Sequence, residues 1–122
     1  MNIITDLEKA NLILKKYSGA KLQIWMFSRS LKRIAIKLSL DGKPEVVYLI
    51  GIGCETFHGD FLLHNAHLHI TLERGTDYSD NDITKISDNI VGFELTTSAG
   101  FSLAQGVEEE FGDSFENFIL RK

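Results

Sequence analysis

"EVVYLIGIGC", residues 45–54, is apolar on both faces of an extended chain. An amphipathic strand alternates apolar and polar residues, so a run without alternation marks a strand covered on both sides. Val46, Val47, Tyr48, Leu49, Ile50 and Ile52 therefore predict a central strand. Gly51 and Gly53 in its second half predict a bulge or a close approach of another backbone. Just upstream, "DGKP" (41–44) is a hairpin signal, since Asp-Gly tolerates positive φ and Pro44 stays outside the strand interior. Before it, "LKRIAIKLSL" (31–40) sets Ile34, Ile36, Leu38 and Leu40 against Arg33, Ala35, Lys37 and Ser39, which predicts a strand with one wet face. "SRS" (28–30) predicts the turn to a preceding strand over 21–28, where Trp25 and Phe27 suggest that both faces are covered.

Further outward the period changes. Ile3, Leu7, Ala10, Leu14 and Tyr17 recur at helical spacing, and Thr5 followed by Glu8 fits a capping box. A helix over residues 5–18 with Gly19 as its stop follows, docked by its apolar stripe. Downstream, residues 55–61 read as a loop and 62–73 as one long strand. Residues 74–82 read as polar loop, with Asp82 capping a helical turn that starts at Ile83. "IVGFELTT" (90–97) and "FSLAQGV" (101–107) read as strands around a "SAG" turn. In the tail, 108–122, Phe111, Phe115, Phe118 and Ile119 have helical spacing but Gly112 interrupts it, leaving helix and strand both open. The expected fold is α+β in one domain, 1–122. An N-terminal amphipathic helix packs on a curled antiparallel sheet or small β-sandwich of five to six strands spanning residues 20–107.

Composition narrows the function classes. The chain has 122 residues, 43% hydrophobic and 25% charged, ordinary values for one globular domain. No apolar run approaches the roughly 20 residues of a membrane-spanning helix, and no basic-then-apolar leader is evident. Cys54 is the lone cysteine, which suits a reducing compartment, so a cytoplasmic location is expected. The net charge of −4 divides unevenly: residues 1–43 carry nine basic and three acidic residues, residues 44–122 four basic and fourteen acidic. The basic residues alternate along strands and never cluster, so the two halves are expected to neutralise each other across the sheet and not to hold nucleic acid.

All four histidines lie in "HGDFLLHNAHLH" (58–69). On one regular strand His64 points opposite to His67 and His69. His67 and His69 then share a face with Cα atoms about 6.7 Å apart, close enough for one metal ion given a third ligand such as Glu73, Glu94 or Cys54. A His-x-His pair alone defines no site, and the two histidines are expected on a solvent-facing strip with Asn65 and Thr71. No metal and no cofactor are expected. Cys54 and His58 are four apart and suggest a nucleophile pair, against the simpler reading of Cys54 as a small core residue. Asp77, Asp80 and Asp82 lack the glycine and the closing glutamate of a calcium loop. Trp25, Phe27 and Tyr48 offer rings for base stacking, although strand aromatics in a small domain ordinarily form core. No phosphate-binding glycine loop and no Gly-x-Ser-x-Gly elbow is present.

"FSRSLKRIAIKL" (27–38), "VVYLIGIGCETFHG" (46–59), "NAHLHI" (65–70) and "ISDNIVGFEL" (86–95), in that order, resemble a group of small bacterial β-rich proteins of no known activity. The group has an aromatic-Ser-x-Ser strand, a Gly-Cys pair ending a central strand, an Asn-x-x-Leu strand and a late Asp before a Gly-Phe strand. The resemblance covers roughly residues 22–95 and implies a β-rich fold but no catalytic residue. Where the group often has an aromatic-rich segment, this chain has "DFLLH". It is also similar in kind to the small immunity proteins that accompany bacterial toxins. The expected function is a non-enzymatic binding or interaction protein, with another protein or a second copy as partner. The alternatives are a metal-dependent enzyme using His67 and His69, and an immunity-type protein that binds a toxin.

Overall fold

A computed structural model describes residues 2–73, 83–88 and 90–108. The order is β1 (Asn2–Ile4), α1 (Leu7–Lys16), β2 (Ala20–Ser28), β3 (Arg33–Ser39), β4 (Glu45–Ile52), β5 (Cys54–His58), β6 (Leu62–Ala66), β7 (His69–Glu73), β8 (Ile83–Asp88), β9 (Phe93–Thr97) and β10 (Phe101–Val107). Two antiparallel sheets result, ordered β1-β10-β4-β3-β2-β6 and β5-β9-β8-β7. An antiparallel, sheet-rich fold with an N-terminal helix is as expected. The described residues hold ten strands where five to six were expected, and the helix is shorter than 5–18.

β4 lies between β3 and β10, the central position its two apolar faces predict. Its glycines carry the chain from one sheet to the other. A Cβ on Gly51 would stand 2.9 Å from Leu95 Cδ2 and 3.0 Å from Thr97 Cγ2, so the sheets approach closely there. Gly53, at φ 71°, then turns the chain into β5 of the other sheet. The Asp-Gly hairpin joins β3 to β4, with Gly42 at φ 79°.

One core fills the space between the sheets. Leu22, Ile36, Val47, Leu49 and Leu103 come from the six-stranded sheet, and Ile70, Ile86, Phe93 and Leu95 from the other. α1 adds Ala10 and Leu14, and Tyr17 follows from the helix end. The cap is Asp6 and not Thr5: the Asp6 carboxylate accepts from Lys9 N–H at 2.9 Å. Ile3 belongs to β1, so the helical stripe begins at Leu7. Asn11 ties helix to sheet edge. Its amide donates to Ile70 O and its Oδ1 accepts from Ile70 N–H, both at 2.8 Å, so the side chain takes the place of a neighbouring strand beside β7.

Four further expectations are corrected. Residues 62–73 are two strands in different sheets, because Asn65 adopts φ 65° and His67–Leu68 form the crossing. Residues 54–58 are a strand, and the helical turn expected at Ile83 is strand β8, paired to both β7 and β9. The wet face expected on β3 is buried. Ala35 and Lys37 join Val46, Tyr48, Ile50, Ser102 and Ala104 in a second buried layer on the outer face of the six-stranded sheet. Lys37 is accommodated there because its ammonium pairs with Glu108 and lies 4.3 Å from the centre of the Trp25 ring. The Asp77, Asp80 and Asp82 loop and the tail beyond Glu108 lie outside the described residues.

Burial pushes the Tyr48 hydroxyl up to about 12, and the Glu108 carboxylate adds to the shift. Between the ordinary tyrosine value near 10 and that of the folded chain, the unfolded chain releases a proton that the folded chain keeps. This part of the stability is complete below pH ~10 and is lost as pH rises through about 12. Tyr48→Phe is therefore expected to lose less stability between those two pH values than the native chain, each measured by urea unfolding against its own stability at pH 8. Equal losses would show that Tyr48 does not drive the alkaline limb.

Candidate interaction surface

β2 is flanked by β6 only along its first half, from Ala20↔Ala66 to Gln23↔Leu62. One more bond follows, from Ile24 N–H to Phe61 O at 2.8 Å. From Trp25 to Ser28 the strand keeps β3 on one side, and no described strand lies on the other. The partner chain departs because residues 59–61 are the crossing from β5 to β6, with Gly59 at φ 151° against Phe93.

A register shift between Ile24 and Met26 exchanges the faces of β2. Leu22 and Ile24 belong with the central core, whereas Met26 packs on the outer layer. Phe27 then lies opposite Ile34, on the inner side at the rim of the molecule. It is 62% exposed, and Phe61, beside the same strand edge, is 72% exposed. Phe61 stacks on Phe57 at 6.1 Å and Phe57 meets buried Phe93 edge-on at 5.4 Å, so an aromatic row runs from the surface into the core. Leu31 in the β2–β3 turn and Leu62 at the start of β6 are also exposed. Large apolar residues beside a strand edge that no described strand flanks are what folded proteins ordinarily avoid.

The sequence-derived candidates fall elsewhere. His67 sits in the crossing and His69 opens β7, so they are not neighbours on one regular strand. Both line a shallow groove of about 320 Å³ with Asn11, Lys15, Ser18 and Leu68. His69 Nε2 is 3.4 Å from Ser87 Oγ, and the His67 backbone N–H donates to Asp88. Neither imidazole lies on the open strip expected of it: both residues are half-buried. Glu73 and Glu94, the possible further ligands, both pair with Lys85 at 3.5 Å and hold its pKa above the usual lysine value, Glu73 more strongly. Among the described residues no three His, Cys, Asp or Glu side chains converge as a metal site. His64 is exposed and lines a separate hollow of about 380 Å³ with Lys21, Asp41 and Asn65.

Cys54 and His58 occupy opposite ends of β5, paired to Thr97 and Glu94. Four residues of strand separate them by roughly 13 Å, which precludes proton transfer between them. Burial pushes the Cys54 thiol up, away from the nucleophilic thiolate, and its Sγ–H points to Gly51 O at 3.6 Å. The three rings considered for base stacking are not one platform. Trp25 meets Tyr48 edge-on at 6.2 Å on the outer face, while Phe27 is on the inner side.

Two residues of structural weight had little sequence signal. Phe61 lies in a stretch read as loop, and nothing local marks it as the exposed end of an aromatic row. Asp88 is 1% exposed and accepts three backbone N–H groups, from His67 at 2.6 Å, Ile90 at 2.9 Å and Val91 at 3.4 Å. An Asp-Asn pair four residues before Gly92 could have flagged the turn, but not the bond to His67. Comparison with protein-family models, curated proteins and solved structures found no match for this chain.

Proposed function

We propose that this is a small non-enzymatic interaction protein that engages another protein at the rim formed by Phe27, Phe57, Phe61 and the unflanked half of β2. The observation that carries this reading is the exposure of Phe27 and Phe61 beside a strand edge that no other described strand flanks. An extended segment of a partner would add to that edge through main-chain bonds, with the phenylalanines receiving its apolar side chains. Exposed aromatics of this kind are the usual anchors of protein interfaces. The likeness in kind to small immunity proteins agrees with a binding role. The separation of Cys54 from His58 removes the one nucleophile pair that the sequence offered.

A photo-crosslinking phenylalanine analogue at position 27, incorporated in the living cell, tests the proposal. A discrete cross-linked species of defined mass is expected, and Phe61→Ser should abolish it. The same analogue at Leu12, equally exposed on α1, is the control. Absence of a discrete product at position 27, or the same products at position 12, would overturn the reading. A product of twice the chain mass would make the partner a second copy.

A further inference from the structure

The turn between β2 and β3 stands at the end of the unflanked half of β2, and it is basic. Arg29 and Lys32 are exposed and Arg33 is half-buried. The basic residues were expected to alternate along strands without clustering. These three meet at one turn, because Ser28 pairs with Arg33 and residues 29–32 close the hairpin. Lys37 and Lys85 have carboxylate partners. Arg29, Lys32 and Arg33 form no ion pair with any described residue.

The turn is also fixed in place. Its Lys32 carbonyl accepts from Cys54 N–H at 2.8 Å, and Leu31 N–H donates to Ser28 Oγ at 3.3 Å. Lys32 has φ 51°, a left-handed conformation that strains a residue with a Cβ and that glycine adopts freely. A lysine thus stands where glycine would be less strained, which points to a use for its side chain. The acids on the adjoining segments are Glu55, next to Cys54, and Asp60, next to Phe61. Asp60 marks the opposite end of the edge, since Phe61 O holds Ile24 N–H and five residues of chain, about 17 Å of strand, lead from Ile24 to Arg29. The edge is cationic at the turn and acidic at its other end, with Phe27 and Phe61 along it.

We propose that the protein engaged at this rim presents an extended acidic segment, its apolar side chains on Phe27 and Phe61 and its carboxylates on Arg29, Lys32 and Arg33. This rests on the function proposed above and adds the chemistry of the partner. The segment lies beside Trp25–Ser28, four residues or about 14 Å of edge, with its Asp or Glu residues at the turn and away from Asp60. Charge at one end sets its direction and rejects partners of the wrong sign. Three cations in a chain of net charge −4 are too few for a nucleic-acid backbone.

Fluorescent peptides of one length, with valine at alternate positions and ending in Asp-Glu-Asp, Ser-Thr-Ser or Lys-Arg-Lys, test it on the full chain. At low salt the acidic peptide should bind about tenfold tighter than the neutral one, the sum of a few exposed charge pairs, and the basic peptide weakest. The gap should narrow as salt rises. Arg29→Glu with Lys32→Glu should invert the order, and Phe61→Ser should abolish binding of all three. The uncharged pair Arg29→Ser with Lys32→Gly relieves the turn. Its urea midpoint should rise while the acidic peptide binds about fivefold weaker, a split that a merely structural role would not produce. In the living cell, the product cross-linked through position 27 should fall at least tenfold in the charge-reversed chain. Equal binding of the three peptides would overturn the acidic partner, and its loss in Phe61→Ser would leave the rim itself standing. Failure of the acidic peptide to bind, or an undiminished product in the charge-reversed chain, would overturn the proposal too, while the cross-link at position 27 decides the rim separately. A second copy of this chain, or a nucleic acid, as the cross-linked partner would overturn it as well.

Discussion

Replacing Asp88 with alanine should cost the fold about 3–5 kcal/mol, the largest loss expected of any single polar substitution here. The carboxylate is buried and holds the N–H groups of His67, Ile90 and Val91. Hydrogen bonds to a charged acceptor contribute about 1.5–3 kcal/mol each, and a buried donor left without a partner costs about 1–3 kcal/mol. The effect does not add simply, because Ile90 and Val91 share one oxygen and belong to a turn that reaches water. Asp88 joins the β8–β9 turn to the crossing at which the chain leaves one sheet for the other. Its loss should therefore loosen two remote segments together. Urea unfolding of Asp88→Ala and Asp88→Asn checks the size: asparagine keeps an acceptor and should lose about half as much. Hydrogen exchange checks the place, with the His67 and Ile90 amides accelerating together. A loss below about 1 kcal/mol for the alanine variant would mean that water replaces the carboxylate at little cost.

Asp88 also shows what a sequence carries and what it does not. The Asp-Gly hairpin, the central strand over 45–52 of the expected 45–54, and the apolar stripe of the helix from Leu7 onward are local patterns, and each is found in the structure. Errors arise where the deciding contact is distant in the chain. Lys37 reads as a solvent-facing residue by type, yet Glu108, 71 positions away, pairs with it on a buried face. The alternation in residues 62–73 is read as one strand because nothing local announces that Asn65 takes a positive φ. His67 and His69 still alternate with buried Ala66, Leu68 and Ile70, but they are half-buried where full exposure was expected. For the candidate surface even less was legible. The exposure of Phe27 depends on a register shift in β2, and that of Phe61 on the path between two sheets. Neither has a compositional mark, since a phenylalanine in a strand is ordinarily core.

The helix gives the second large effect. α1 has ten residues, too few to be stable alone in water, so its existence rests on docking. Leu14, 2% exposed, sits in the central core with Ala10 and Tyr17, and the Tyr17 hydroxyl donates to Glu45 O at 3.2 Å at the start of β4. Leu14→Ala removes most of a buried side chain and leaves a cavity where helix and sheets meet, for an expected loss of about 2–4 kcal/mol. Leu12, two positions earlier and 62% exposed, is the internal control: Leu12→Ala should change stability by less than about 0.5 kcal/mol. The pair separates docking from helix propensity, since the same replacement is made on the same short helix. The loss should also spread to β7, because Asn11 holds both backbone groups of Ile70 from the intervening turn of α1. Faster exchange of the Ile70 amide in Leu14→Ala, but not in Leu12→Ala, is the expected sign that helix and strand edge loosen as one unit. Equal effects of the two substitutions would mean that the apolar stripe does not hold the helix to the sheets.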